Sequence, residues 1–119
     1  METLFWTRLD DLIASSKIVI DRPKDKPHPR WPEMIFPLDY GYLEGTTAMD
    51  GGGIDLWLGS APHRNLTAIV CTIDIKKKDS EIKLLIGCTE EETAIIERFH
   101  NRYYQSGILV RRPEYNHES

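Results

Sequence analysis

Two aspartates, Asp50 and Asp55, bracket three consecutive glycines, Gly51, Gly52 and Gly53. Glycine has no Cβ and lets the backbone fold tightly, so carboxylates at the two ends of such a run can converge on one point. Converging carboxylates suit Mg²⁺, which takes oxygen ligands and commonly keeps several waters plus substrate phosphates. The same spacing also fits a hairpin turn whose aspartates merely cap the bend. Downstream, Glu81 and Lys83 are two residues apart in an alternating segment, which puts them on one side of a strand. By themselves they can be a solvated strand pair.

The elements that must position these groups can be read along the chain. Phe5, Leu9, Leu12 and Ile13 recur at helical spacing and predict a short amphipathic helix over 3–14. Ile18-Val19-Ile20 is a β-branched run and predicts a strand that ends at Asp21. Five of the seven prolines fall between Arg22 and Pro37, which excludes a helix or a central strand there. Trp31, Met34, Ile35 and Phe36 within that segment argue for a loop packed against the body.

Strands are expected at 40–44, 54–59, 66–75 and 81–87, the last two joined by a charged turn from Lys76 to Ser80. Thr89 and Glu92 make a capping box, and Ile95, Ile96, Phe99 and Tyr103 mark the buried stripe of a helix ending near Gly107. Ile108-Leu109-Val110 predicts a last strand, and Pro113 to Ser119 a frayed tail. The sum is an α+β domain spanning 1–119, a small barrel-like sheet of five or six strands flanked by an N-terminal and a C-terminal helix.

Composition narrows the function. Hydrophobic residues make up 40% and charged residues 29% of 119 residues, as in an ordinary soluble domain. The formal net charge is −4. The basic groups cluster only as Lys76-Lys77-Lys78 and Arg111-Arg112, which disfavours a nucleic-acid partner. No apolar run is long enough to span a bilayer, and no secretion signal opens the chain, so no membrane role is expected. Cys71 and Cys88 each lie in apolar stretches and are read as buried free thiols, with the cytoplasm as the default compartment.

The stretch from Phe36 to Asp55 resembles a pattern of the soluble, magnesium-dependent (family I) inorganic pyrophosphatases. The prolyl start at Pro37, the core Asp39-Tyr40-Gly41-Tyr42, Thr46 and the aspartates Asp50 and Asp55 stand in register with it. Ile20-Asp21-Arg22-Pro23-Lys24 is similar to the family's first strand, which implies Asp21 as a site carboxylate and, further along, Arg30 as a phosphate-binding cation. Asp79 to Lys83 resembles the family's later carboxylate hairpin with its loop shortened.

The resemblance implies an OB-like barrel, and Mg²⁺ held by Asp50, Asp55 and Glu81. It further implies phosphates held by Arg30, Tyr40 and Lys83, with Asp55, Asp39 and Asp21 as the carboxylates serving the attacking water. Which of His100, Asn101, Arg102, Tyr103 and Tyr104 corresponds to the family's tyrosine–lysine pair is left open.

The sequence also departs from that pattern. Gly52 stands where the family has its central aspartate, usually given the general-base role, and Gly53 stands where it has proline. Phe36 replaces a tyrosine, Pro32 falls where a carboxylate is expected, and no hairpin arginine lies between Arg30 and Phe36. A positioned base contributes roughly 10²–10⁴ in rate.

The leading expectation is Mg²⁺-dependent hydrolysis of inorganic pyrophosphate by a metal-activated water. The alternatives are a hydrolase of another phosphoanhydride, a non-catalytic metal–phosphate sensor, and a structural partner using the Trp31–Phe36 loop. The resemblance also implies a homo-oligomer, for which Trp6, Trp31 and Trp57 are either interface anchors or core.

Overall fold

The computed structural model describes residues 3 to 113. In chain order the elements are α1 (Leu4–Ala14), β1 (Lys17–Arg22), β2 (Asp39–Glu44), β3 (Ile54–Leu58), β4 (Leu66–Asp74), β5 (Asp79–Ile86), α2 (Glu90–Phe99) and β6 (Gln105–Arg111). The strands form one sheet in the order β1-β2-β3-β5-β4-β6. Every neighbouring pair is antiparallel except β3 and β5, which run parallel. The architecture is the expected α+β arrangement of one sheet with two helices. Its edge strands β1 and β6 do not pair, so the expected barrel stays open.

β5 lies between β3 and β4, and its end, Leu84-Leu85-Ile86, is fully buried. A run that is apolar on successive residues is what a strand covered on both faces requires. One face meets Trp6, Leu9, Leu12 and Ile13 of α1 through Leu43, Leu56, Ile69, Leu84 and Ile86. The other face, with Trp57, Val70 and Leu85, meets Ile96 and Phe99 of α2 and the loop residues Phe36 and Leu38.

The first half of β5 inverts the usual pattern: Ile82 is exposed, whereas Lys83 is 6% exposed. α1 does not reach that end of the sheet, while the opposite face is closed over by the site described below.

Several expectations are corrected. In α1 the buried aromatic is Trp6, and Phe5 is exposed. Trp6 and Trp57 are core residues and Trp31 is half exposed, so two of the three tryptophans are not interface anchors. The Thr89–Glu92 capping box forms as expected, but α2 stops at Phe99 rather than near Gly107. The Asn101 side chain takes over there, donating to the carbonyls of Glu97 and Gly107 and accepting from the Gly107 amide. Tyr103 consequently leaves the helical stripe, adopts φ 58° and is 84% exposed.

The proline-rich segment is ordered: backbone bonds join Asp25 to Phe36 and His28 to Met34. Both cysteines are free. The predicted tail, apart from Pro113, lies outside the described residues.

Candidate active site

Strand register brings the site together. β2 sets Tyr40 beside Trp57 and Tyr42 beside Asp55, and β3 sets Trp57 beside Leu85. With a period of two along each strand, Tyr40, Asp55, Glu81 and Lys83 all project from the α2-facing side of the sheet. Gly41, in the core of the Asp39–Tyr42 motif, is required by β1: a Cβ there would lie 1.8 Å from the Val19 carbonyl oxygen.

The loop carrying Asp50 is pinned by Thr46. Its hydroxyl donates to the Leu43 carbonyl (2.7 Å) and accepts from the Ile54 amide (2.9 Å). Gly51 supplies the left-handed turn at φ 87°. The Gly52 amide then donates to Asp50 Oδ1 at 2.9 Å, which fixes the carboxylate in place.

At the centre lies Lys83. Its ammonium donates to Asp55 Oδ2 at 2.7 Å and to Glu81 Oε1 at 2.5 Å, and the Tyr40 ring centroid lies 5.8 Å away. Burial opposes the charge on Lys83, but Tyr40, Asp55 and Glu81 outweigh it and hold the ammonium well above the usual lysine range. Burial also pushes the Tyr40 phenol well above its ordinary value, so Tyr40 is a neutral hydroxyl.

Glu81 Oε2 is buried and receives no hydrogen bond from any donor group. Its neighbour is the Asp50 carboxylate. Burial first, and Asp50 as well, raise Glu81, whereas the neighbouring Glu81 carboxyl first and the Gly52 amide next lower Asp50.

These groups line a cleft of about 330 Å³, together with Asp21, Arg22, His28, Lys77 and His100. Arg22 and Lys77 are cations that the sequence reading did not assign to the site. Two expected residues are elsewhere. Arg30 does not line the cleft; it is exposed, with its guanidinium 5.5 Å from the Trp31 ring. Asp39 is also outside it and accepts the Lys24 amide at 2.8 Å, holding the start of the proline loop. The bulge in β1 between Ile20 and Arg22 is what turns Arg22 toward Tyr40, and a sequence carries no sign of it.

His100 comes from the C-cap of α2 and is 3% exposed. Its Nε2 accepts from Trp57 Nε1 at 2.9 Å, so its Nδ1 carries the proton and donates to Gln105 Oε1 at 2.7 Å. Burial lowers His100 to about 4, which keeps the ring neutral. Of the five residues from His100 to Tyr104 left open by the sequence, His100 is the one at this cleft.

No protein-family profile and no curated protein matches the sequence. Two solved structures do resemble it. An inorganic pyrophosphatase from Coxiella burnetii aligns at a TM-score of 0.56 with 14% identity, over 77% of this chain and 81% of that one. An inorganic phosphatase from Anaplasma phagocytophilum aligns at 0.55 with 14% identity, over 80% and 82% of the two chains. The chain has the pyrophosphatase fold.

Within the pyrophosphatase fold, the expected trio Asp50, Asp55 and Glu81 is not assembled as a metal site. Among the described residues no three histidine, cysteine, aspartate or glutamate side chains are grouped to hold an ion. The reason is Lys83, whose ammonium already engages Asp55 and Glu81. What remains is the pair Asp50 and Glu81, with Glu81 Oε2 an unmatched buried acceptor. One or two carboxylates are the usual protein share of a Mg²⁺ that arrives with phosphate, so this pair fits that ion. Among the described residues no helix is long and apolar enough to cross a membrane.

Proposed function

We propose that this chain is a divergent phosphoanhydride hydrolase that cleaves inorganic pyrophosphate with Mg²⁺. The observation that carries the reading is the convergence of Tyr40, Asp50, Asp55, Glu81 and Lys83 on one cleft of a sheet with the pyrophosphatase fold. Asp50 and Glu81 would hold the ion, which when bound supplies charge neutralisation at the phosphate oxygens. Burial raises Glu81 above the ordinary range, so protons compete with the ion there and its affinity falls as pH falls.

The chain's own groups then do the rest. Lys83, Arg22 and Lys77 face the phosphates, with the neutral Tyr40 hydroxyl as a further donor. Asp55 fixes Lys83 and is the remaining carboxylate beside the reacting groups. Asp21, also in the cleft, is 3.8 Å from Arg22 and orients it. Trp57, Phe36 and Phe99 close the floor to water.

The test is phosphate release from pyrophosphate by the purified chain with and without Mg²⁺, alongside Asp55→Asn. Mg²⁺-dependent release that vanishes in the variant supports the reading; release unchanged in the variant removes Asp55 from it. Gly52, lacking the carboxylate expected at that position, favours a second reading: a sensor that binds metal and phosphate without turnover. Thermal stabilisation by Mg²⁺ and pyrophosphate with no phosphate released would select it.

The homo-oligomer is likewise proposed. Ile82, Cys71 and Ile108 line up across β5, β4 and β6 on the face that α1 leaves bare, and Ile82 and Ile108 are exposed. Ile82→Lys should shift the sedimenting species toward monomer, and an unchanged assembly would exclude this strip. Two free thiols accord with the reducing cytoplasm as the proposed compartment.

A further inference from the structure

A second cavity, of about 480 Å³, adjoins the Lys83 cleft. The two share Trp31, Met34, Lys77, Phe99 and Gln105 as walls. Beyond that shared wall the second cavity is bounded by Glu33, Asp74, Lys76, Arg102, Tyr103 and Tyr104. Inorganic pyrophosphate offers only oxygens and gains nothing from the aromatic part of such a lining. Three of its aromatic side chains are turned outward, with Tyr103 84%, Tyr104 55% and Trp31 50% exposed. Tyr103 is displayed by a left-handed backbone at φ 58°, a conformation disfavoured outside glycine and often kept where a side chain must be presented.

The polar groups of this cavity are also set for a ligand. The Arg102 guanidinium stacks on Phe99, 4.1 Å from its centroid, and its Nη2 is buried with no hydrogen-bond partner. Lys76 stands 5.2 Å from the Tyr104 ring. The lysine run is not a solvated tail. Asp74 Oδ1 accepts the amides of Lys76 and Lys77 at 2.9 Å each, and Lys78 takes φ 58° behind them. That turn holds Lys77 at the junction of the two cavities.

We infer that the anhydride this chain takes is borne by a nucleoside, as a nucleoside di- or triphosphate, with its phosphates in the Lys83 cleft and its base against Trp31, Tyr103 and Tyr104. The inference rests on the phosphoanhydride reading of that cleft and adds the substrate class. Base–aromatic stacking supplies the recognition of the base, and Arg102 Nη2 and Lys76 donate to its sugar or nearest phosphate. A polynucleotide is disfavoured by the net charge of −4. In the reaction a water oxygen bonds to the terminal phosphorus. The bridging P–O bond breaks with its electron pair leaving on the nucleoside phosphate, and one proton passes to solvent.

The experiment compares a nucleoside triphosphate with pyrophosphate, each with Mg²⁺, on the purified full chain. It reads phosphate release and the fluorescence of the half-exposed Trp31. The expected result is a nucleotide KM about tenfold below that for pyrophosphate. Tyr104→Ala, and independently Tyr103→Ala, should raise the nucleotide KM about tenfold and leave the pyrophosphate KM unmoved. Both side chains are exposed, so the variants retain the fold, which circular dichroism checks.

Pyrophosphate turnover without nucleotide turnover overturns the inference and leaves the hydrolase reading standing. Nucleotide turnover insensitive to both tyrosine variants also overturns it. Quenching of Trp31 by the nucleotide, lost in Tyr104→Ala, with no phosphate released from either compound, supports the base site while the hydrolase reading falls. No quenching and no turnover removes both.

Discussion

The Lys83 ammonium lies 2.7 Å from the Asp55 carboxylate, although the two residues sit on strands that meet in parallel and are far apart in sequence. The same ammonium also engages Glu81, so one buried cation holds two carboxylates that the sequence pattern assigned to a metal. The side chains of Lys83 and Glu81 are almost completely withdrawn from water, and that of Asp55 is largely so. A charge triad of this kind is held together because each member would be costly to leave alone.

Lys83→Met should therefore destabilise the chain by about 3–5 kcal/mol at neutral pH, through uncompensated charge on Glu81 and Asp55. Glu81, which burial already raises, would then be raised further for want of its cation. Groups raised in this way favour the folded state more as pH falls, so part of the loss should return between pH 7 and 5. Urea unfolding at the two pH values checks it. A loss of the same size at both would mean packing, not charge, holds Lys83 in place.

Gly52→Asp restores a carboxylate where the resemblance puts the general base. The position has room: an added Cβ would meet Asp50 Oδ1 at 3.4 Å, an ordinary contact, and Gly52 is exposed. Mg²⁺-dependent phosphate release should rise by roughly 10²–10⁴. An unchanged rate would show that water activation in this cleft does not pass through residue 52.

His100 should make stability depend on acid. It is neutral in the folded state with its value lowered to about 4, and an unfolded histidine titrates near 6.5. Between those values the unfolded chain binds the extra proton. Stability is therefore full above pH 6.5 and falls as pH drops toward 4, by roughly 3 kcal/mol in all. His100→Gln costs stability through Trp57 but should flatten that slope, as thermal melts across pH 7 to 4 would reveal. A slope that survives the substitution assigns it to other groups.

Residues inside and outside the cleft should separate in kinetics. Arg22→Ala, which removes a lining cation, should raise KM for pyrophosphate about tenfold, as expected for loss of a hydrogen bond to a charged group. Arg30→Ala should leave it unchanged, since Arg30 rests against Trp31 away from the cleft. Asp39→Asn keeps an acceptor for the Lys24 amide and should retain full turnover. A steady-state comparison in which Arg30 matters more than Arg22 would reverse the assignment.

Much of this architecture was legible in the residues. The capping box at Thr89, the β-branched run of β1 and the apolar end of β5 are local signals, because each depends on neighbours within a turn or two. The sharp turn at the glycine run was legible for the same reason. The C-terminal end of α2 was misread because the Asn101 side chain, bonding across to Gly107, ends the helix inside an apolar pattern that continues to Tyr103. Arg22 was missed in favour of Arg30 because a register shift in β1, invisible in composition or spacing, decides which cation faces Tyr40.

By itself the sequence determined the elements, their order and the stretch that supplies the cleft's carboxylates Asp50 and Asp55, since propensity, capping and glycine turns are properties of short segments. The tertiary structure alone decided which charges meet. The parallel pairing of β3 with β5 put Asp55 against Lys83, and the missing cover at one end of the sheet left Ile82 out and Lys83 in. Strand register and the layer above a strand are set by contacts between distant segments, and no window of sequence contains both sides of such a contact.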